Sequence, residues 1–117
     1  MARRAEDAGC DACWVLDVRR DPYVLAAAAV SSTTSIPVGP NVAVAFGRSP
    51  TATAAAAWDL QVWSGGRFVL GLGSQVGPTL NARFGVSADH PAPRIKDYIA
   101  AVRGCWAAFE RGYGKYE

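Results

Sequence analysis

Residues 63–85 read WSGGRFVLGLGSQVGPTLNARFG, and the reading of this stretch decides the fold. The run Arg67–Leu72 is strand-like, ends among glycines, and should lead into a helix, the layout of a phosphate cradle. Two named motifs can be tested letter by letter. A dinucleotide fingerprint needs G-x-G-x-x-G opening directly into a helix. Gly71 and Gly73 supply the first two glycines, but position 76 is Val and the next glycine is Gly77. The acidic residue expected further on could only be Asp89, which lies in the loop-like Ala88-Asp89-His90-Pro91. A P-loop needs Gly-Lys-Ser/Thr, and no lysine occurs between Met1 and Ile95. Neither motif fits, so the rest of the chain has to explain the glycines.

The chain has 117 residues, enough for one small domain with a core of its own. Half the residues are hydrophobic and 19% are charged, the balance of an ordinary globular protein. A net charge of +2, with basic residues scattered, gives no nucleic-acid footprint. The apolar run Tyr23–Val30 is too short to cross a bilayer. The start, Met-Ala-Arg-Arg-Ala-Glu-Asp, has no apolar signal segment, so the expected compartment is the cytoplasm, with no membrane partner. Cys10 and Cys13 have C-x-x-C spacing. A redox pair belongs after a strand at a helix N-terminus, whereas this pair precedes a strand. Zinc needs a second ligand pair, and Cys105 with His90 does not make one. Both cysteines are expected as small buried residues, with no metal.

Along the chain, Arg3–Ala8 reads as the tail of a helix closed by Gly9. Ala12–Val18 reads as a buried strand. Asp21-Pro22 pairs an N-cap with a proline at the first helical position, and a helix follows through Val30. The next strand lies within Ile36–Phe46, with Val42, Val44 and Phe46 on one face. Ser49-Pro50 repeats the capping device before a helix over Ala54–Trp63, which Gly65-Gly66 stops. The strand Arg67–Leu72 and a loop follow, and Pro93 opens a last helix. From Ile95, apolar Tyr98, Ile99, Val102, Trp106 and Phe109 keep helical spacing. The alanine runs 26–29 and 54–57 are close-packing helix faces.

This alternation of helix and strand, with apolar strands, predicts an α/β fold with a parallel sheet covered by helices. An open doubly wound sheet and a closed barrel both fit. In both, chemistry gathers at the C-terminal strand ends, here Asp17-Val18, Asn41–Phe46 and Gly73-Ser74-Gln75. Alternative readings stand beside these: a loop-bracing carboxylate for Asp17, close backbone packing for Gly71 and Gly73, solvated rim positions for Arg48 and Arg83, and a plain loop residue for His90.

Several segments together resemble the bacterial luciferase-like superfamily and, more narrowly, its deazaflavin (coenzyme F-420)-dependent oxidoreductases. They are Ala5–Asp11 leading into Trp14–Asp17, Asp21-Pro22-Tyr23, Pro37-Val38-Gly39, Arg48-Ser49-Pro50, Ser64–Phe68 with Leu70–Gly73, and Arg83-Phe84-Gly85 followed by Pro93-Arg94. The resemblance covers essentially the whole chain, and SGGRFVLGLG at its spacing from RSP is the most specific part. It implies that the glycine-rich stretch is the fourth barrel strand and its loop, bordering the cofactor pocket.

The family fold is a (β/α)8 TIM barrel of about 250 residues. Residues 1–117 are therefore expected to be one partial luciferase-like domain, an incomplete barrel holding strands 2 to 4 with flanking helices, inactive by itself. The resemblance implies an oxidoreductase or monooxygenase in the full-length form, moving hydride to or from a small organic substrate with F-420, or alternatively FMN. The full-length form is expected to be a homo-oligomer. Expected cofactor-binding residues are Asp17, Asn41, Val42, Ala43, Gly73, Ser74 and Gln75. A non-proline cis peptide typical of the family falls at Asn41–Val42. Sugar-phosphate-oxidising members follow the Asp17 equivalent with a histidine, where this chain has Val18, and carry a glutamate where it has Ser74-Gln75-Val76. No catalytic acid or base is assigned. The competing reading is a non-catalytic half-barrel that serves as an assembly or binding module.

Overall fold

The computed structural model describes residues 1–75 and 77–112. Its elements, in chain order, are α1 (Ala2–Asp7), β1 (Cys13–Val15), α2 (Pro22–Ser31), β2 (Val38–Pro40), β3 (Ala43–Val44), α3 (Pro50–Trp63), β4 (Leu72–Gly73), α4 (Gly77–Phe84) and α5 (Pro91–Glu110). The chain divides into two compact units, one of residues 1–43 and 56–72, the other of residues 44–55 and 73 onward.

In the first unit, Gly9 takes φ +84° just beyond α1, the left-handed conformation that glycine adopts without strain. Strands β1 and β2 pair in parallel, with Cys13 opposite Val38, Trp14 opposite Gly39 and Val15 opposite Pro40. The register runs one step further, because Asn41 N–H donates to the Val15 carbonyl at 3.0 Å. On its other edge β2 meets Phe68 in a parallel bridge, closed by Val38 N–H to the Arg67 carbonyl at 3.0 Å and Val69 N–H to the Val38 carbonyl at 2.9 Å. Helix α2 begins as expected. Asp21 accepts the backbone N–H groups of Tyr23 at 2.8 Å and Val24 at 3.2 Å, and Pro22 occupies the first turn, where its missing N–H costs nothing. The helix packs on β1 and β2 through Ala26, Ala29 and Val30, all buried, and small side chains at this spacing let backbone and sheet approach closely.

Two glycines mark where strands crowd. A methyl group at Gly39 would run into the Val69 carbonyl, and one at Gly71 into the Pro40 carbonyl. Tight backbone packing, the alternative reading for Gly71, therefore describes its surroundings. Trp14, Leu16, Val18, Val42 and Val69 remain substantially exposed in this unit. The alternation along residues 13–18 accounts for three of them: Trp14, Leu16 and Val18 share one side, while Asp17 is buried on the other.

In the second unit, Ser49 Oγ accepts the Ala52 N–H at 3.1 Å, the capping role its place before Pro50 predicts. Val44, Ala45, Thr53, Ala54, Leu80, Tyr98 and Val102 form the core. In α5 the expected stripe is present: Tyr98 and Val102 are buried, and Ile95, Ile99, Trp106 and Phe109 are half-buried. Trp106 Nε1–H donates to the Ala54 carbonyl at 3.1 Å.

Five expectations need correction. The strand read as buried over Ala12–Val18 is regular only at Cys13–Val15, and Trp14, Leu16 and Val18 are exposed. The strand within Ile36–Phe46 is broken into β2 and β3, and the interruption falls at Asn41–Val42, so Val42 is exposed while Val44 is buried. The strand expected over Arg67–Leu72 is regular only at Leu72–Gly73, with Phe68 paired singly. A helix, α4, follows the glycine-rich strand within the stretch read as a loop, and α5 begins at Pro91 rather than Pro93. Among the described residues the strands form a β1–β2 ladder and a β3–β4 ladder, and no barrel closes.

Candidate functional site

The first unit carries four of the expected site residues. Asn41, Val42 and Ala43 follow directly on β2, and the Asn41–Val42 peptide is cis. Asn41 and Val42 are exposed and Ala43 is fully buried. Ala43 N–H donates to the Gly71 carbonyl at 2.8 Å, which ties this bend to the glycine-rich strand. A hollow of about 190 Å³ lies beside it, lined by Trp14, Pro40, Asn41, Val69 and Gly71. Trp14, Pro40 and Val69 make most of the lining apolar, a surface suited to a flat apolar face. Asp17 is 6% exposed, buried in the segment that follows β1.

The second unit carries the other three. Ala45 N–H donates to the Gly73 carbonyl at 2.9 Å, so both hydrogen bonds of the β3–β4 ladder advance in the same direction along the two strands. Gly73, Ser74 and Gln75 are half-buried. Gln75 has φ +60°, in the left-handed region, and its Oε1 is buried with no hydrogen-bond partner among the described residues. A buried amide oxygen without a donor costs about 1–3 kcal/mol, and such an atom is a candidate for a ligand N–H. The expectation for Val76 lies outside the described residues.

Sequence reading missed a second hollow in this unit. It measures about 420 Å³ and is lined by Phe46, Arg48, Pro50, Arg94, Asp97, Tyr98 and Ala101. Arg94 stacks on Phe46, 4.0 Å from the ring centroid, and donates to the carbonyls of Ser87 and Asp89. Arg48 is no plain rim residue, since it donates to the Val44 carbonyl at 3.0 Å and stands over the Phe84 ring. The Tyr98 hydroxyl donates to the Arg48 carbonyl at 3.0 Å and shares a 2.6 Å hydrogen bond with Thr53. Burial raises the Tyr98 phenol above its ordinary value, against the opposing pull of Thr53 and Arg48. The advance signals were Phe46 at a strand end, Arg48-Ser49-Pro50 and Pro93-Arg94, and nothing local in the sequence joins them.

The cysteines are all free. Neither Cys10 nor Cys13 is buried as expected: Cys10 is exposed, past the end of α1 in the connection to β1, and Cys13 is half-buried. His90 takes φ +51° at the start of α5. No group of three or more metal-ligating side chains is found among the described residues, and no helix there is long and apolar enough to cross a membrane.

The luciferase-like monooxygenase family profile matches residues 1–116. A 5,10-methylenetetrahydromethanopterin reductase of Methanolobus tindarius is 36% identical over 105 residues, which are 88% of this chain and 32% of that protein. The coenzyme F-420-dependent tetrahydromethanopterin reductase of Methanopyrus kandleri superposes with a TM-score of 0.63 at 28% identity, over 68% of this chain and 24% of that one. The EDTA monooxygenase of Chelativorans sp. BNC1 superposes with a TM-score of 0.79 at 24% identity, over 90% of this chain and 28% of that one, and shares the fold. The chain spans about a third of the length of the curated relatives it matches. These likenesses bear out the expected α/β fold, a part of a TIM barrel, and the chain belongs to the luciferase-like monooxygenase family.

Proposed function

We propose that this chain supplies part of the cofactor-binding framework of a luciferase-like oxidoreductase, and that the complete protein moves hydride to or from a small organic substrate. The proposed cofactor is coenzyme F-420, with FMN as the alternative. Relatives that are reductases, one of them named as F-420-dependent, favour the deazaflavin. The observation that carries the reading is the unpartnered, buried Oε1 of Gln75 on the loop that follows the glycine-rich strand. Its acceptor character fits a ring cofactor that presents N–H groups.

In the first unit, the backbone of Asn41, Val42 and Ala43 would support the ring, with Asp17 bracing the adjoining strand end. In the second, Gly73 and Ser74 would offer backbone unobstructed by bulky side chains, and Gln75 would accept a ring N–H. When bound, the cofactor supplies the hydride chemistry, and the protein positions and shields it. No residue is assigned as catalytic acid or base. The 117 residues, as a partial luciferase-like domain without a closed barrel, are proposed to have no turnover of their own. Cytoplasmic location and homo-oligomeric assembly of the complete protein belong to the same proposal.

The test is a pair of fluorescence titrations of the complete-barrel protein, one with F-420 and one with FMN. The reading predicts saturable F-420 binding that is tighter than FMN binding. Tight FMN binding with no F-420 binding would reverse the cofactor assignment.

A further inference from the structure

The C-x-x-C pair of the first unit is accessible. Cys10 is exposed, Cys13 is half-buried, and both are free thiols. Residues 7–11 are exposed throughout, so the connection from α1 to β1 runs over the surface. Its two ends are fixed. Cys10 N–H donates to the Ala5 carbonyl at 3.0 Å, which holds it to α1, and Cys13 N–H donates to the Pro37 carbonyl at 2.9 Å, just before β2. Between the two cysteines the chain bends at Asp11. Three residues of separation limit the distance between their Cα atoms to about 11 Å in a fully extended chain. A bend shortens that toward the roughly 4.4–6.8 Å that a disulfide spans. Any further adjustment meets no packing at Gly9, which takes φ +84° and has nothing within 4 Å of the place a side chain would occupy. A catalytic dithiol needs an activating helix N-terminus, and this pair precedes a strand. A crosslink needs only an accessible thiol with a second one in reach.

We propose that Cys10 and Cys13 form a reversible disulfide when the protein meets hydrogen peroxide, with Cys10 as the thiol that reacts first and Cys13 as the one that resolves it. The exposed Cys10 thiolate attacks one peroxide oxygen, the O–O bond breaks, and the departing hydroxide takes a proton to become water. Cys10 is then a sulfenic acid. The Cys13 thiolate attacks that sulfur, the S–S bond forms, the S–O bond breaks, and the oxygen leaves as a second water. Two thiols lose two electrons and two protons, and one peroxide becomes two waters. The bond ties the end of α1 to the first residue of β1. An exposed disulfide is readily reduced again by thiol exchange, so the crosslink follows the oxidant rather than fixing the fold. This proposal does not rest on the cofactor reading above.

The test treats the complete-barrel protein with hydrogen peroxide, blocks remaining thiols with iodoacetamide, and maps the products by mass spectrometry. Trypsin releases both cysteines in one peptide, residues 5–19, because Arg4 and Arg19 bound it. The expected result is that this peptide carries two labels before oxidation. After oxidation it carries none and is lighter than the unlabelled peptide by two hydrogens, and both labels return after dithiothreitol. Cys13→Ser is expected to stop at the sulfenic acid of Cys10, captured by dimedone. The oxidised protein is expected to melt no lower than the reduced one, because the chain is already bent between the two thiols. Two labels surviving peroxide, a sulfinic acid on Cys10 in place of the crosslink, or Cys10 joined to a second copy of the chain would each overturn the proposal. A lower melting temperature on oxidation would overturn it too, since the bond would then form only by pulling the connection apart. A missing dimedone adduct in Cys13→Ser would overturn the role given to Cys10. None of these outcomes bears on F-420 binding.

Discussion

The Glu6 carboxylate accepts the Ser35 backbone N–H at 2.7 Å, which clasps α1 to the turn that follows α2. The same carboxylate accepts the N–H groups of Thr34 and Ile36 and both neighbouring hydroxyls. It therefore satisfies a run of backbone donors that no helix or strand serves. These bonds, led by that from Ser35, lower the Glu6 pKa from 4.5 to about 2 against a smaller effect of desolvation. A carboxylate depressed in the folded state contributes stability that is fully present above the unfolded value and is lost as pH falls through the folded one. Thermal unfolding followed by circular dichroism should show a stability loss between pH 4.5 and about 2 that Glu6→Gln removes. An unchanged pH profile in the variant would show that Glu6 does not hold this turn.

Arg67 closes the other side of the same turn. It donates to the carbonyls of Ser64, Ile36, Val30 and Thr33 and to the Thr33 hydroxyl. A lysine has its donors at a single point and cannot span that set. Arg67→Lys should cost about 1–3 kcal/mol in urea unfolding, the scale of buried acceptors losing a charged donor. A loss below about 0.5 kcal/mol, the ordinary range for a surface substitution, would contradict the clamp.

Gly39 and Gly104 make opposite predictions from one substitution. A methyl at Gly39 meets the Val69 carbonyl, whereas one at Gly104, exposed within α5, meets nothing within 4 Å. Gly104→Ala should stabilise the chain by about 0.5–1 kcal/mol, through helix propensity alone. Gly39→Ala should destabilise it by about 1–3 kcal/mol or more, because backbone has to move. Melting temperatures of the pair check both signs at once.

Tyr98 ties Arg48 and Thr53 to α5 through a hydroxyl buried in the second unit. Its raised folded pKa keeps the phenol neutral after the unfolded phenol ionises near 10, so stability should fall as pH rises above 10. Tyr98→Phe should lose about 1–2 kcal/mol at neutral pH, one buried hydrogen-bonded hydroxyl, and flatten that alkaline decline. Absorbance at the phenolate band, followed against pH, reads the titration directly.

What was legible in the chain follows the range of the forces involved. Asp21-Pro22 and Ser49-Pro50 announced two helix starts because capping is local, and both bonding patterns are present. The α5 stripe was legible because helical spacing is written in neighbouring residues. The cis position at Asn41–Val42 came from family resemblance, not from residue physics. Strand lengths were misjudged because pairing is set by a partner far along the chain: Arg67–Leu72 looks continuous, yet it pairs with β2 in a single bridge at Phe68 and is regular again only at Leu72–Gly73. Helix α4 follows the glycine-rich strand as residues 63–85 suggest, although the same segment reads as a loop before Pro93. For the site, the glycine-rich strand end could be read from sequence. The stacking of Arg94 on Phe46 could not, since nothing local joins them.

The central claim is that the loop after the glycine-rich strand serves a ring cofactor, and Gln75 is its most exposed point of test. Titrating F-420 into the complete-barrel protein and its Gln75→Leu variant, with cofactor fluorescence as the readout, measures it. Loss of one ring hydrogen bond should weaken binding about tenfold, with the variant's melting temperature unchanged or raised, because the amide oxygen has no protein partner to lose. Equal affinity in the two proteins, or a variant that melts lower and binds as before, would mean that Gln75 serves the fold and not the cofactor.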